Sequence, residues 1–183
     1  MTHVRIVAPP DSLQTADAAC LAAFQKELDY VYRSLRRLGT SPSEVDDLAQ
    51  EVFVVLSRCW SDYDRNRPLR PFLFGISFRI AAAYERKRSR EVPFGVVDVD
   101  DSCPGPDEAL HSKRARSLVL AALDRIPLAR RAVLVMHDID GVPMREVAST
   151  LKVPLFTVYS RRRKARRELE SFIRRFLKEA DAR

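Results

Sequence analysis

The sequence predicts an all-α protein built from two small helical domains that an acidic, flexible linker joins. Apolar residues recur at steps of three and four over most of the chain, which is the spacing of one helix face. The 183 residues include only 5 glycines and 8% aromatic residues, a composition that disfavours a β-sandwich or barrel. Residues 91–112 interrupt the helical pattern with three prolines and six acidic residues, and they contain no Lys or Arg. This change of composition predicts the boundary between the domains.

The domain limits follow from the same patterns. Residues 1–16 show no periodicity and contain Pro9 and Pro10, so we expect a flexible tail. The first helical domain is predicted over residues 17–90, the linker over 91–112 and the second helical domain over 113–178.

The first domain opens with two amphipathic helices. An apolar stripe from Leu21 to Leu38 predicts a helix that ends at Gly39. Ser41, Pro42 and Glu44 have the spacing of a capping box with proline at the first helical position, which predicts that the next helix begins there. That helix has one apolar face, and its other face is acidic, with Asp46, Asp47, Gln50 and Glu51.

A third helix combines aromatic and cationic residues. It follows the polar, proline-bounded loop at residues 61–71 and runs from Phe72 to Arg90. Aromatic rings beside cations suit unpaired bases, which need a stacking surface and a counter-charge for phosphate. The alternative is that these aromatic residues belong to the core, and we favour that alternative for Phe74.

The second domain ends in two short helices joined by a tight turn. Helical spacing over residues 118–126 stops at Pro127, and another helix is predicted over 128–139 ahead of Gly141. Residues 143–168 then form the pair of helices, in which Val158 and Ala165 lie on the inner face of the second helix. The outer face of that helix is strongly basic. This pattern is typical of a DNA-binding helix-turn-helix.

The distribution of charge supports a polyanionic partner. The chain has a net charge of +7, and residues 141–183 alone carry 12 basic and five acidic residues. The three cysteines have no pairing or metal-binding spacing, and no apolar run has the length of a signal peptide or membrane span. We therefore expect a cytoplasmic protein without membrane insertion.

An enzyme is disfavoured by the same sequence. Three scattered histidines have no catalytic or metal-binding spacing, and there is no glycine-rich phosphate loop. We expect no cofactor and no metal. A stand-alone helix-turn-helix regulator is a rival interpretation, but it leaves residues 41–90 unexplained. A protein that sequesters a partner is a further rival, and the basic helix argues against it.

Three motifs, in this order, resemble the extracytoplasmic-function branch of the sigma-70 family, the promoter-recognition subunits of bacterial RNA polymerase. They are DDLAQEVFVVL at 46–56, RPLRPFLFGISFRIAAAYERKR at 67–88, and LAALDRIPLARRAVLVMHDIDGVPMREVASTL at 120–151 followed by TVYSRRRKAR at 157–166. The resemblance implies domains like sigma regions 2 and 4. It also implies a sigma factor that binds core RNA polymerase and directs promoter recognition, DNA melting and transcription initiation.

The resemblance assigns roles to the surfaces. The acidic helix matches the positions that dock on the β′ clamp of the polymerase, with a solvated helix face as the alternative; these positions are Asp47, Gln50 and Glu51. The third helix resembles the part that binds the melted −10 strand, where the candidates are Phe78, Arg79, Tyr84, Arg86, Lys87 and Arg88. The helix-turn-helix resembles the domain that binds the −35 element, where the candidates are Tyr159, Ser160, Arg161, Arg163, Lys164 and Arg166.

Further partners follow from the same family. They are the β flap of the polymerase, promoter DNA and an anti-sigma factor. The acidic linker resembles the family's segment that threads the polymerase cleft, and its charge can occupy the path that RNA takes later. A merely solubilising spacer is the alternative to that role.

The sequence departs from the family pattern within the helix-turn-helix. Lys152 and Phe156 each stand where glycine is common, so we expect a strained or differently shaped turn at Lys152. Pro143 replaces the usual Ser, which removes the N-cap hydrogen bond. Arg162 occupies a position that is usually apolar, and we expect its charge to reach outward over an apolar stem.

Overall fold

The computed structural model describes residues 11–91 and 107–181, and within these ranges it contains seven α-helices and no β-strand. The predicted all-α class is confirmed. The helices are α1 Asp11–Arg37, α2 Val45–Cys59, α3 Leu69–Glu91, α4 Asp107–Asp124, α5 Leu128–Leu134, α6 Met144–Leu151 and α7 Leu155–Asp181. One π-helical turn, Val135–Ile139, continues α5.

The first half of the molecule is a bundle of α1, α2 and α3, in which each helix packs on the other two. The apolar stripes face inward because that arrangement removes them from water. Val31, Leu56 and Phe74 are fully buried at its centre. Phe74 is therefore a core residue, as the sequence favoured.

Helix boundaries differ from the sequence prediction in several places. Helix α1 begins at Asp11, inside the predicted tail, and α4 begins at Asp107, inside the predicted linker. The remainder of both segments, residues 1–10 and 92–106, lies outside the described residues.

The predicted capping box of α2 is wrong. The helix begins at Val45, and Glu44 occupies the N-cap position without a side-chain hydrogen bond. The Glu44 amide instead donates to the Ser41 carbonyl at 3.2 Å, so residues 41–44 close a turn before the helix starts. Hydrogen bonding within this turn replaces the reciprocal bonds that the spacing suggested.

The second half of the molecule is formed by α4 to α7. Ile126, Val133, Met136 and Val158 are buried in its centre. The break at Pro127 lets α5 turn back across α7, and an Arg130–Glu168 ion pair joins these two helices. Within this half, α4, α5 and the π-helical turn support α6 and α7.

The two halves pack against each other through α3 with α6 and α1 with α4. Gly75 of α3 faces Thr150 of α6 so closely that an added Cβ would lie 3.0 Å from the Thr150 Cγ2. The Asp140 carboxylate, at the end of the π-helical turn, accepts hydrogen bonds from the Tyr30 hydroxyl at 2.9 Å and from the Arg37 guanidinium at 3.0 Å. Burial and the Asp140 charge together raise the pKa of Tyr30.

A second close contact joins the halves at the end of α1. Gly39 has a φ of +95° and ends the helix, with the Thr40 amide donating to the Leu35 carbonyl at 3.1 Å. A Cβ at Gly39 would collide with the buried Arg131 guanidinium, which is held by Asp124 and by the Ile126 carbonyl. Burial lowers the pKa of Arg131, opposed by the Asp124 charge.

We predict that Gly39→Ala destabilises the protein by about 2–5 kcal/mol. Left-handed backbone costs a residue with a Cβ about 1–2 kcal/mol, and forcing a methyl group into occupied space costs about 1–3 kcal/mol more. Urea unfolding at neutral pH measures the difference. The matched control is Gly141→Ala, because Gly141 also has a positive φ of +71° but its Cβ would meet nothing within 4 Å. Equal losses for the two variants would contradict the role of the Arg131 contact.

Candidate nucleic-acid interface

The helix-turn-helix consists of α6, the turn at residues 152–154 and α7. Lys152 adopts the left-handed conformation with φ 53° and ψ 47°, and its amide bonds back to the end of α6. The Val153 amide donates to the Ala148 carbonyl at 3.0 Å, which closes the turn. Lys152 is the one residue other than glycine with positive φ in the described ranges. The turn therefore keeps the shape that glycine favours, at a conformational cost of about 1–2 kcal/mol.

Pro143 stands at the N-cap of α6 without a side-chain hydrogen bond, as the sequence predicts. Its carbonyl instead accepts from the Glu146 and Val147 amides at 2.9 and 3.0 Å. Proline lacks an amide and fits a helix start, so α6 forms without a polar cap.

The outer face of α7 is cationic and accessible. Val158 and Ala165 are fully buried on the opposite side of this helix. Tyr159 is 54% exposed. Of the other predicted −35 residues, Arg163, Lys164 and Arg166 are exposed, and Ser160 and Arg161 are half-buried. A concave surface of about 640 Å³ runs along this face, lined by Phe156, Tyr159, Ser160, Arg162, Arg163, Arg166, Arg167 and Glu170.

Arg162 does not reach outward into water as expected. Its Nε donates to Asp138 Oδ2 at 2.9 Å and its Nη2 donates to Asp138 Oδ1 at 2.7 Å, a two-point ion pair between α7 and the π-helical turn. The hydrogen bond from Arg162 holds the pKa of Asp138 below its ordinary value. Burial of Val158 and Ala165 sets which side of α7 faces inward, and this ion pair adds a contact between the helix and the π-helical turn.

The predicted −10 residues fall into two groups on α3. Phe78 and Tyr84 are half-buried and pack against the core. The four cations among them, Arg79, Arg86, Lys87 and Arg88, are exposed. Arg79 and Arg86 are seven residues apart, so they share one face of the helix. Arg88 lies on the opposite side of the helix, where its charge acts on Asp124 of the second half. The structure therefore exposes all four cations but places only Arg79 and Arg86 on one face, and it puts the aromatic rings beside the core.

An aromatic cluster that the sequence did not single out lies beside α3. The Trp60 and Tyr63 rings stack at 5.6 Å, and the Tyr63 and Phe72 rings lie 5.0 Å apart. The Arg65 guanidinium lies 5.7 Å from the Trp60 ring. The available signal was that Trp60 and Phe72 flank the polar loop at 61–71 and that Tyr63 lies within it. Trp60 is buried in the core, whereas Tyr63 and Phe72 are half-buried, so only the latter two rings are accessible for stacking on unpaired bases.

The acidic face of α2 is open to solvent. Asp47, Gln50 and Glu51 are all exposed, and their spacings of three and four place them on one side of the helix. The apolar residues of the helix, including Val52 and Leu56, are buried on its other side. The face therefore presents negative charge and an amide to any partner with a basic surface.

Other types of site are not found in the part of the chain that the structure describes. No group of three or more His, Cys, Asp or Glu residues there has a geometry that could hold a metal ion. None of the helices in those ranges is long and apolar enough to cross a membrane.

Comparison with known proteins identifies both halves. Residues 23–91 match the family described as Sigma-70 region 2, and residues 116–169 match Sigma-70, region 4. Together these matches cover two thirds of the chain.

Similar proteins carry related names. The ECF RNA polymerase sigma factor SigE of Mycolicibacterium smegmatis is 29% identical over 167 residues, and the chain spans 65% of the length of that protein. The RNA polymerase sigma factor NccH of Alcaligenes xylosoxydans xylosoxydans is 27% identical over 147 residues, with 77% of this chain and 79% of that protein covered.

Solved structures share the fold. CnrH, solved in complex with the cytosolic domain of CnrY, has a TM-score of 0.63 at 23% identity, with 88% of this chain and 94% of that chain covered. RpoE of Bartonella quintana, solved with the anti-sigma factor NepR, also has a TM-score of 0.63, at 20% identity, with 83% and 97% covered.

The Asp138–Arg162 pair predicts a pH-dependent contribution to stability. Because the folded-state pKa of Asp138 is depressed, the contribution is complete above the ordinary value near 4 and is lost as the pH falls through the folded-state pKa. We expect a coupling energy of about 1 kcal/mol at pH 7 in a double-mutant cycle of Asp138→Asn and Arg162→Gln. Urea unfolding at pH 7, 5, 4 and 3 measures it, and a coupling energy that does not shrink at pH 3 would contradict the pairing.

Proposed function

We propose that this chain, which belongs to the extracytoplasmic-function branch of the sigma-70 family, is a sigma factor: it binds core RNA polymerase and directs transcription initiation at specific promoters. The family predicted from the three motifs is confirmed by the matches to sigma-70 regions 2 and 4. Chemistry on nucleotides is left to the polymerase, and this chain supplies binding and positioning.

The observation that carries this proposal is the pairing of two opposite surfaces on one chain. Helix α7 presents a cationic face on a helix-turn-helix, and α2 presents an acidic face on the other half. A cationic recognition helix binds duplex DNA. An acidic helix face repels DNA and complements a basic partner, and a DNA-binding regulator acting alone does not require one. A subunit that joins an enzyme to DNA uses both.

We assign the acidic face to the polymerase. Asp47, Gln50 and Glu51 provide two carboxylates and one amide on adjacent turns, which suits a basic coiled coil such as the β′ clamp helices. Electrostatic complementarity of this kind accelerates association and fixes register. The β flap is the expected partner of the second half.

We assign α3 and the loop before it to the melted −10 strand. A flipped base loses a few kcal/mol of stacking, which an aromatic pocket can restore. Phe78 and Tyr84 provide rings beside the core, and Arg79, Arg86, Lys87 and Arg88 provide charge for phosphates. The half-buried rings of Tyr63 and Phe72 add stacking surface at the loop.

We assign the outer face of α7 to the −35 element. Within it we assign contacts with base edges or adjacent phosphates to Tyr159, Ser160, Arg163 and Lys164. Arg161 and Arg166 lie on the flanks of the helix, where contacts to phosphate are expected. Phosphate contacts contribute affinity and salt dependence, whereas base-edge contacts select sequence.

Regulation and location follow from the same assignment. The solved neighbour from Bartonella quintana is bound to an anti-sigma factor, and we propose that a protein of this class binds the present chain. A sigma factor works where the polymerase is, so we place it in the cytoplasm. We also propose that the two halves separate on the polymerase, so that each reaches its own promoter element.

The first test measures binding to core RNA polymerase and run-off transcription on a randomised promoter library. We expect the full chain to bind core polymerase and to select promoters with defined −10 and −35 elements. Asp47→Asn with Glu51→Gln should lower affinity for core polymerase about tenfold or more, since two complementary charges are removed. The control Asp29→Asn removes an exposed carboxylate from α1 and should leave affinity unchanged. Absence of core binding by the wild-type chain would overturn the proposed function in favour of a stand-alone regulator.

The second test separates base contacts from phosphate contacts on α7. Arg163→Ala should change the order of preference among −35 variants, with effects of about 1–3 kcal/mol at the base pair that it contacts. Arg161→Ala should weaken binding to all variants alike and reduce its salt dependence. Holoenzyme affinity for a panel of −35 sequences at two salt concentrations measures both effects. A uniform loss across the panel for both variants would contradict the division of roles.

A further inference from the structure

The ring of Phe156 is left in water at the start of α7. It is 75% exposed, more than any other large apolar side chain in the described residues. It is the second residue of a helix whose opposite face is buried through Val158 and Ala165. Single exposed apolar side chains are common on protein surfaces, but this ring lines the concave surface on the outer face of the helix-turn-helix, which makes it a candidate contact.

Phe156 lies on the side of α7 that faces away from the core, where a recognition helix contacts the major groove of DNA. At 100° per residue, Phe156, Arg163 and Arg167 cluster on the side of α7 directly opposite Val158. Ser160, four residues on, lies one turn along the same side. Residues near the N-terminal end of a recognition helix approach base edges, whereas residues on its flanks approach phosphates. Phe156 therefore lies nearer to base edges than the predicted phosphate contacts Arg161 and Arg166 do.

The surroundings of the ring favour DNA over an apolar protein partner. The concave surface that contains Phe156 is also lined by Arg162, Arg163, Arg166 and Arg167, with Glu170 as its single carboxylate. Arg162 is paired with Asp138, and the other three arginines leave this surface cationic, which matches a polyanion.

The chemistry of the ring restricts what it can recognise. A phenyl group has no hydrogen-bond donor or acceptor of ordinary strength, so it cannot distinguish bases by their polar edges. The apolar feature of the major groove is the C5-methyl group of thymine, and phenylalanine is among the side chains that contact it. Cytosine carries only hydrogen at that position.

We propose that Phe156 is a specificity-determining residue that packs against the C5-methyl group of a thymine in the −35 element. This inference rests on the proposed function. It gives this chain a sequence preference of its own. Relatives commonly have glycine at this position, and glycine has no side chain that could make such a contact.

The test removes single methyl groups from the DNA. The probe is a −35 duplex selected by the wild-type holoenzyme from a randomised library, with each thymine in turn replaced by deoxyuridine. At one thymine, the replacement should lower the affinity of the wild-type holoenzyme for the duplex about fourfold, because one buried methyl group is lost. Phe156→Ala should bind the unmodified duplex at least fourfold more weakly than wild type and should show no further loss with deoxyuridine at that position.

Two variants serve as controls. Phe176→Ala removes a 43% exposed ring near the other end of the same helix and should keep the wild-type response to deoxyuridine. Phe156→Leu keeps an apolar side chain and should retain a response at the same thymine. Circular dichroism checks that all variants keep wild-type helicity and melting temperature, which is expected because both rings are exposed.

Several outcomes would overturn the inference alone while promoter-dependent transcription persists. They are a selected −35 element without thymine, a deoxyuridine response in Phe156→Ala equal to that of wild type, and unchanged affinity of Phe156→Ala for the unmodified duplex. A loss of core-polymerase affinity in Phe156→Ala with unchanged DNA affinity would place the ring on a protein partner instead. Failure of the wild-type chain to bind core polymerase or to select any promoter overturns the proposed function, and the inference with it.

Discussion

Two glycines, which have no side chain, allow the two halves of the molecule to pack closely against each other. Gly75 lets α3 approach Thr150 of α6, and Gly39 lets the end of α1 approach the Arg131 guanidinium. Close backbone approach of this kind is available only where no Cβ intervenes. Helix α6 packs against α3, and the Arg130–Glu168 and Asp138–Arg162 ion pairs join α7 to α5 and to the π-helical turn, so these contacts contribute to the orientation of the cationic face.

The charged side chains form two groups, those paired with each other within the fold and those exposed on its surface. The carboxylates that are partly buried, such as Asp138 and Asp140, are paired with arginine and serve the packing of helices. The carboxylates on the outer side of α2 and the cations on the outer sides of α3 and α7 remain exposed. Paired charges join elements of the fold, and the exposed charges of α2 and α7 are accessible to partners. The same residue types therefore perform structural and binding roles in different places.

Helix faces could be predicted from the sequence because their spacing is a local property. The apolar stripe of α1, the exposed acidic face of α2 and the basic face of α7 all occupy the predicted helices. The pairing of Arg162 with Asp138 could not be predicted, because these residues are 24 positions apart and meet only after α5 and α7 pack.

Local chemistry also misled the sequence prediction in one place. Ser41, Pro42 and Glu44 have the spacing of a capping box, but they close a turn, since residues that cap helices also favour turns. At Lys152 the sequence predicted a strained or differently shaped turn, and in the structure this residue has a left-handed backbone. The packing of the two halves and the cluster of Trp60, Tyr63 and Phe72 depend on tertiary contacts, which periodicity does not encode.

The interface between the halves sets the free energy needed to separate them. Its directional contacts are polar, and each hydrogen bond to the Asp140 carboxylate contributes about 1.5–3 kcal/mol. Apolar residues of both halves also belong to one continuous buried cluster, so separation exposes apolar surface as well. A partner that binds the separated form 100-fold more tightly supplies about 2.8 kcal/mol toward that cost. Because the linker keeps the halves on one chain, binding of the first half raises the effective concentration of the second half near its own site. Simultaneous binding of both halves can therefore offset the loss of the contacts between them.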